Sequence, residues 1–151
     1  MSSFNAVFSS TNTFRECLAV LQGHTSAVSC LQLLPSSFIS ESSNGRIIIW
    51  SLNDYSELRQ IEAHKSAVIG LKCDGSRILS GSSDGQVRIW DLESGDLLEN
   101  LASSEAVWSV GFLSEMKAVA VFLQKKQVIL QVGQKQIAHA GKYMPDFKAT
   151  Y

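Results

Sequence analysis

No excess of positive charge marks this chain of 151 residues: 13 Lys and Arg stand against 14 Asp and Glu, giving a formal net charge of -1 and a pI near 6.3. Without a basic field there is no drive to bind phosphate backbones, so nucleic acid is not expected as a partner. Long apolar runs are also missing. The longest, such as Ala118 to Leu123, have the length of a strand, and Met1 to Thr13 lacks the basic and apolar regions of a signal peptide. No membrane span and no secretion signal are expected. Cysteine is scarce and odd in number: Cys17, Cys30 and Cys73 form no Cys-x-x-Cys pair. That usage fits a reduced intracellular compartment, cytoplasm or nucleus, with the thiols as small buried apolar groups rather than redox or zinc ligands. Apolar residues, at 45% of the chain, suffice for a core.

What is present is a repeat. His24 and His64 lie forty positions apart, as do Trp50 and Trp90, and overlaying residues 21–60 on 61–100 leaves 14 of 40 positions identical without a gap. One structural unit therefore occurs twice in succession. Each copy runs through a Gly-His or Ala-His turn, a short apolar run, a Ser-rich run, an Asn-Gly or Asp-Gly turn and a segment ending in Trp.

These rhythms predict strands. Leu18 to Leu21 reads as an outer strand, and Ala27 to Leu33 has apolar residues close enough for an inner strand buried on both faces. Phe38 to Ser42 follows; Asn44-Gly45 then tolerates the positive φ of a tight hairpin and returns the chain through Arg46 to Trp50. Val68 to Cys73, Arg77 to Ser82, Asp84-Gly85, Gln86 to Trp90 and Leu97 to Leu101 repeat the plan. A third, decayed unit begins at Glu105-Ala106-Val107 and continues through Lys117 to Phe122 and Gln127 to Val132. Ser104, Lys125 and Gln131 replace its His, turn Asp and Trp.

The segments Gln22-Gly23-His24 with Ile47-Ile48-Ile49-Trp50-Ser51, and Glu62-Ala63-His64 with Val87-Arg88-Ile89-Trp90-Asp91, resemble the WD-repeat family. The resemblance implies an all-β fold, a partial β-propeller of about three four-stranded blades whose stacking buries faces that one blade cannot bury alone. Its expected layout is an irregular segment over 1–14, a propeller portion over 15–140 and a tail over 141–151. The repeats fall at about 15–52, 53–92 and 93–132, with a last strand over 135–140. Three blades and a stray strand fall short of a ring, which usually takes about four to eight blades. Part of a larger propeller is therefore expected, or closure through self-association.

His64, Ser80, Asp84 and Trp90, with His24, Ser40, Asn44 and Trp50 at the matching places, contain the parts of a nucleophilic triad. In WD repeats these positions form a structural tetrad instead, tying the turn before the inner strand to the hairpin and the indole N–H. No strand-to-helix elbow surrounds Ser80, so a Ser/His hydrolase is the remote alternative and no catalytic residue is expected. Asn44 in place of a carboxylate predicts a weaker first tetrad. The two histidines belong to separate repeats, so no shared metal is expected, and no cofactor. Gly81 to Gly85 lacks the Lys-Ser/Thr ending of a phosphate loop.

The resemblance also implies a partner-binding rim. It comprises Ser29, Ile69 and Trp108 early on the inner strands, Ser43 and Ser83 at the hairpins, and Lys65, Lys125 and Lys126 close by. Ala106-Val107-Trp108-Ser109-Val110 and the strands after it are similar to the closing blade of fungal F-box and WD-repeat substrate receptors of SCF-type ubiquitin ligases. Such receptors hold phosphopeptides with rim arginines, for which a guanidinium fork is suited. Ser29, Ile69, Ser43 and Ser83 occupy those places here, and no F-box helical segment is present in these residues. The expected function is protein or peptide binding without catalysis, in such a receptor or in another scaffold such as an organelle-division or trafficking adaptor.

Overall fold

The computed structural model describes residues 4–6, 18–102, 107–114, 117–124, 127–132 and 135–139. It holds three antiparallel four-stranded sheets and a two-stranded one. Blade 1 consists of β3 (Val28–Leu33), β4 (Ser37–Ser42), β5 (Arg46–Ser51) and β6 (Glu57–Glu62). Blade 2 follows as β7 (Val68–Cys73), β8 (Arg77–Ser82), β9 (Gln86–Asp91) and β10 (Leu97–Ala102). Blade 3 is β11 (Val107–Ser114), β12 (Lys117–Gln124), β13 (Gln127–Val132) and β14 (Lys135–His139). The arrangement is a partial β-propeller, and among the described residues no helix is long and apolar enough to cross a membrane.

Period-two alternation assigns each blade two apolar faces. On one side of blade 1, Ile39, Ile47, Ile49 and Ile61 pack against Leu71, Ile78 and Trp90 of blade 2. On the far side of blade 2, Leu79, Val87, Ile89 and Leu101 pack against Val107 and Val110 of blade 3. Burying several such side chains at each seam, at roughly 1.5 to 3 kcal/mol apiece, makes stacking the main source of stability. Polar bonds fix the alignment of blades 1 and 2. The Gln32 amide accepts from Cys73 N–H at 2.7 Å and donates to Cys73 O at 3.0 Å, while Ser29 Oγ donates to Val68 O at 3.2 Å.

The hairpins follow the turn residues. Gly45 and Gly85 adopt φ of +87° and +80°, each closing a turn to the carbonyl of Ser42 or Ser82. A Cβ at Gly45 would also collide with the His64 carbonyl, because the link between the blades crosses there and both Ala63 and His64 N–H donate to Gly45 O.

Two expectations change. The segment over 1–14, read as irregular, contains β1 (Phe4–Ala6), which pairs with β2 (Ala19–Leu21). The open backbone edge of β2 provides the partner groups for such a pairing. The inner strand of blade 1 is half-buried on one face and exposed on the other. Leu31 is 41% exposed and Leu33 57%, whereas Leu71, the repeat equivalent of Leu31, is 3% exposed. The register sets Leu31 beside Ser40 and Leu33 beside Phe38. On this face β2 contributes Leu21, which packs with Phe38, Ile48 and Trp50 toward the outside and leaves the inner strand open.

Candidate functional site

Two buried hydrogen-bonded chains of the same design occupy blades 1 and 2. The strand order places Ser80 on β8 opposite Arg88 on β9, with Trp90 two residues farther along, so the indole and the hydroxyl meet on one face. Trp90 Nε1–H donates to Ser80 Oγ at 2.9 Å, and Ser80 Oγ lies 2.8 Å from His64 Nε2. Because the indole can only donate, the serine proton is free to point at His64 Nε2. The remaining imidazole proton then sits on Nδ1, facing Asp84. In blade 1, Trp50 Nε1–H donates to Ser40 Oγ at 2.8 Å and His24 Nε2 lies 2.7 Å from that oxygen.

The fourth members differ. Asp84 Oδ1 accepts from Gln86 N–H at 2.9 Å and Oδ2 from Lys65 N–H at 3.2 Å, while His64 Nδ1 stands 3.4 Å from Oδ2. That last separation is a close electrostatic contact rather than a well-formed hydrogen bond. Asn44 turns elsewhere: its Nδ2 donates to Thr25 Oγ1 at 3.0 Å and its Oδ1 accepts from Ser42 Oγ at 2.5 Å. An amide has no charge to hold it toward an imidazole, and a neighbouring hydroxyl wins.

Burial governs the ionisation of these groups. Desolvation holds His64 down to about 4, against the opposing attraction of Asp84, with Arg88 adding to the depression. His24 is lowered for the same main reason, with Arg46 repelling its proton. Burial pushes the Asp84 carboxyl up, but the bond from Gln86 N–H and the proximity of His64 outweigh it, so the net shift is downward. At neutral pH both imidazoles are therefore uncharged.

Ser80 and Ser40 are fully buried, and each hydroxyl is already bonded to an imidazole and an indole. Neither oxygen is open to a substrate carbonyl, so the arrangement can brace blades but offers no approach for acyl transfer. Among the described residues no group of three or more His, Cys, Asp or Glu side chains converges on a metal position.

The rim candidates have side chains outside these chains, although Lys65 N–H donates to Asp84. Ser29, Ser43, Lys65, Ile69 and Ser83 are exposed, Ile69 at 44%. Paired hydroxyls border them: Ser26 Oγ is 2.6 Å from Ser43 Oγ, and Ser66 Oγ is 2.8 Å from Ser83 Oγ. The Trp108 side chain, Lys125 and Lys126 lie outside the described residues. Sequence reasoning missed the Gln32 clamp and the buried Glu41, because nothing in a period-two pattern distinguishes a polar residue that faces a neighbouring blade from one that faces water.

Stacked four-stranded blades with a repeated His–Ser–Trp brace define a class, the WD-type β-propellers. Residues 15–51 and 55–91 each match the family described as WD domain, G-beta repeat, and the chain belongs to the WD-repeat family. Its fold is similar to that of the computationally designed Ika4 protein, with TM-score 0.70, 23% identity, and coverage of 80% of this chain and 76% of that one. It is also similar to the WD40 β-propeller domain of Doa1, with TM-score 0.67, 28% identity, and coverage of 78% and 40%. A third similar structure is U3-55K, with TM-score 0.64, 24% identity, and coverage of 73% and 37%. The chain thus spans well under half of the two latter proteins. No curated protein sequence matches it.

Proposed function

We propose that the chain is a non-catalytic protein-binding module, in which the stacked blades hold a rigid rim bearing Ser29, Ser43, Lys65, Ile69 and Ser83. The observation that carries this reading is the contrast between the two sets of polar residues. The serines and histidines resembling a triad are sealed in the blades, while the exposed set consists of hydroxyls with one apolar side chain, Ile69, and one cation, Lys65. A rim of this kind suits a peptide or protein surface with its own hydrogen-bonding groups and an apolar anchor for Ile69. It does not suit a phosphopeptide, since the places resembling the phosphate-binding arginines of ubiquitin-ligase receptors hold Ser29, Ser43, Ile69 and Ser83. If the chain serves a ligase as substrate receptor, its ligand is unphosphorylated. The balanced charge argues against nucleic acid, and the free thiols Cys30 and Cys73 support an intracellular site.

A photo-crosslinking residue placed at Ile69, with a second variant carrying it at the exposed outer-strand residue Leu98, tests the reading in cells. One discrete protein adduct from position 69, absent from position 98 and lost on Ser83→Arg, is expected. Equal labelling from both positions would refute a specific rim.

A further inference from the structure

Glu41 is a carboxylic acid in a nearly apolar setting, with the Cys30 thiol beside it. Its side chain is fully buried, and neither carboxyl oxygen has a hydrogen-bond partner. The register places it between Cys30 on β3 and Ile47 on β5, on the face of blade 1 that packs against blade 2. Its repeat equivalent is Gly81, where a Cβ would press on Val107 and Val110 of the next blade at 2.6 Å. Stepping back one repeat, Val68 and Leu71 of β7 occupy the corresponding places, and both are buried. Glu41 therefore lies in the seam between blades 1 and 2, among apolar side chains, opposite the residue that follows Ser29.

The ionisable groups around it offer no compensation. From β3 comes the Cys30 thiol, itself held protonated by burial and by Glu41; from β7 comes Lys72, whose ammonium is exposed. On β5, Arg46 is engaged with Glu62 at 2.6 Å, and the imidazoles His24 and His64 are committed to Ser40 and Ser80. A carboxylate in such a place would have no cation beside it and only the weak Cys30 thiol as a donor, so the acid keeps its proton.

We propose that Glu41 is a proton-operated latch on the seam between blades 1 and 2: protonated, it lies dry against β7, and losing its proton requires the seam to open to water. Burial raises its affinity for the proton so that half-ionisation is reached only at about 8, with the Cys30 thiol offsetting part of the shift. The closed seam then holds a proton that an open seam releases at the ordinary glutamate value. Raising the pH between those two values favours opening by up to about tenfold per pH unit, and the gain stops once the closed form also ionises. The latch is tightest in mild acid. Opening would break the Ser29–Val68 and Gln32–Cys73 bonds and widen the spacing between Ser29 and Ile69.

The test uses the full chain labelled with carboxyl-13C glutamate, together with Glu41→Gln. A resonance that titrates near 8 and vanishes in the variant is expected; titration of every glutamate near the ordinary value would overturn the proposal. Hydrogen exchange over residues 68–73, corrected for the intrinsic pH dependence of exchange, supplies the second measurement. Protection in the native chain should fall by at least about tenfold between pH 5.5 and 7.5, and by less than about threefold in Glu41→Gln. An equal fall in both would overturn the latch. Should Glu41→Gln fail to fold, Glu41→Met takes its place, and the native carboxyl titration still decides.

Discussion

Removing the carboxylate of Asp84 should cost more than removing the amide of Asn44, and the structure sets the size of the difference. Asp84→Ala deletes acceptors for Gln86 N–H and Lys65 N–H, and removes the carboxylate that faces the Nδ1–H of the buried, uncharged His64. Hydrogen bonds to charged groups are worth about 1.5 to 3 kcal/mol net, and a buried donor left without an acceptor costs about 1 to 3. The two backbone donors lie near solvent and recover water, so the total is about 2 to 4 kcal/mol. Asn44→Ala removes neutral bonds at an exposed turn, to Thr25 and Ser42, and should cost about 1 kcal/mol. For a chain of this length 1 kcal/mol shifts the melting temperature by about 2 to 4 °C. Differential scanning calorimetry at pH 7 should then show Asp84→Ala melting about 4 to 16 °C below the native chain, with Asn44→Ala within about 4 °C. If Asn44→Ala were equally or more damaging, a charged acceptor would not be what anchors the second blade.

Gln32→Ala should lower the urea midpoint by an amount equivalent to about 1 to 3 kcal/mol with no change in slope, since it deletes two inter-blade bonds and little apolar area. Gly45→Ala and Gly75→Ala both strain a positive φ, but only position 45 also meets the His64 carbonyl. Chemical denaturation should place Gly45→Ala more than about 1 kcal/mol below Gly75→Ala. Stability should also carry two opposed pH dependences. His64, depressed to about 4, makes the folded chain bind fewer protons than the unfolded one, so stability is lost as pH falls from 6.5 toward 4. Glu41, raised to about 8, acts in the other direction, and stability declines as pH rises from 4.5 toward 8. The two offset one another between 4.5 and 6.5, so melting temperatures should pass through a plateau there and fall above it. In Glu41→Gln the fall above 6.5 should disappear; its persistence would show another group to be responsible.

The architecture was legible because a hydrogen-bonded brace needs the same three residue positions in each copy, and two copies in register expose those positions by overlay. His24, Ser40 and Trp50 against His64, Ser80 and Trp90 carried that information. The Asn-Gly and Asp-Gly turns added the hairpin geometry, since few other residues accept the positive φ that Gly45 and Gly85 adopt. What depends on neighbours in space was not legible. Glu41 stands on a strand whose outward and inward positions look alike until a second blade covers one of them, and Gln32 resembles any solvated glutamine. The exposure of Leu31 and Leu33 likewise depends on what stands against blade 1, which local sequence does not encode.

The clamp from Gln32 grips the backbone N–H and C=O of residue 73 and not its side chain. Position 73 thus gives the clamp only its backbone, and its half-buried side chain, which packs on the seam, can be replaced by another small apolar residue without loss of those bonds. Position 32 alone lends the clamp a side chain, so tolerance to change at this junction is lopsided: broader on the receiving strand, narrower on the giving one.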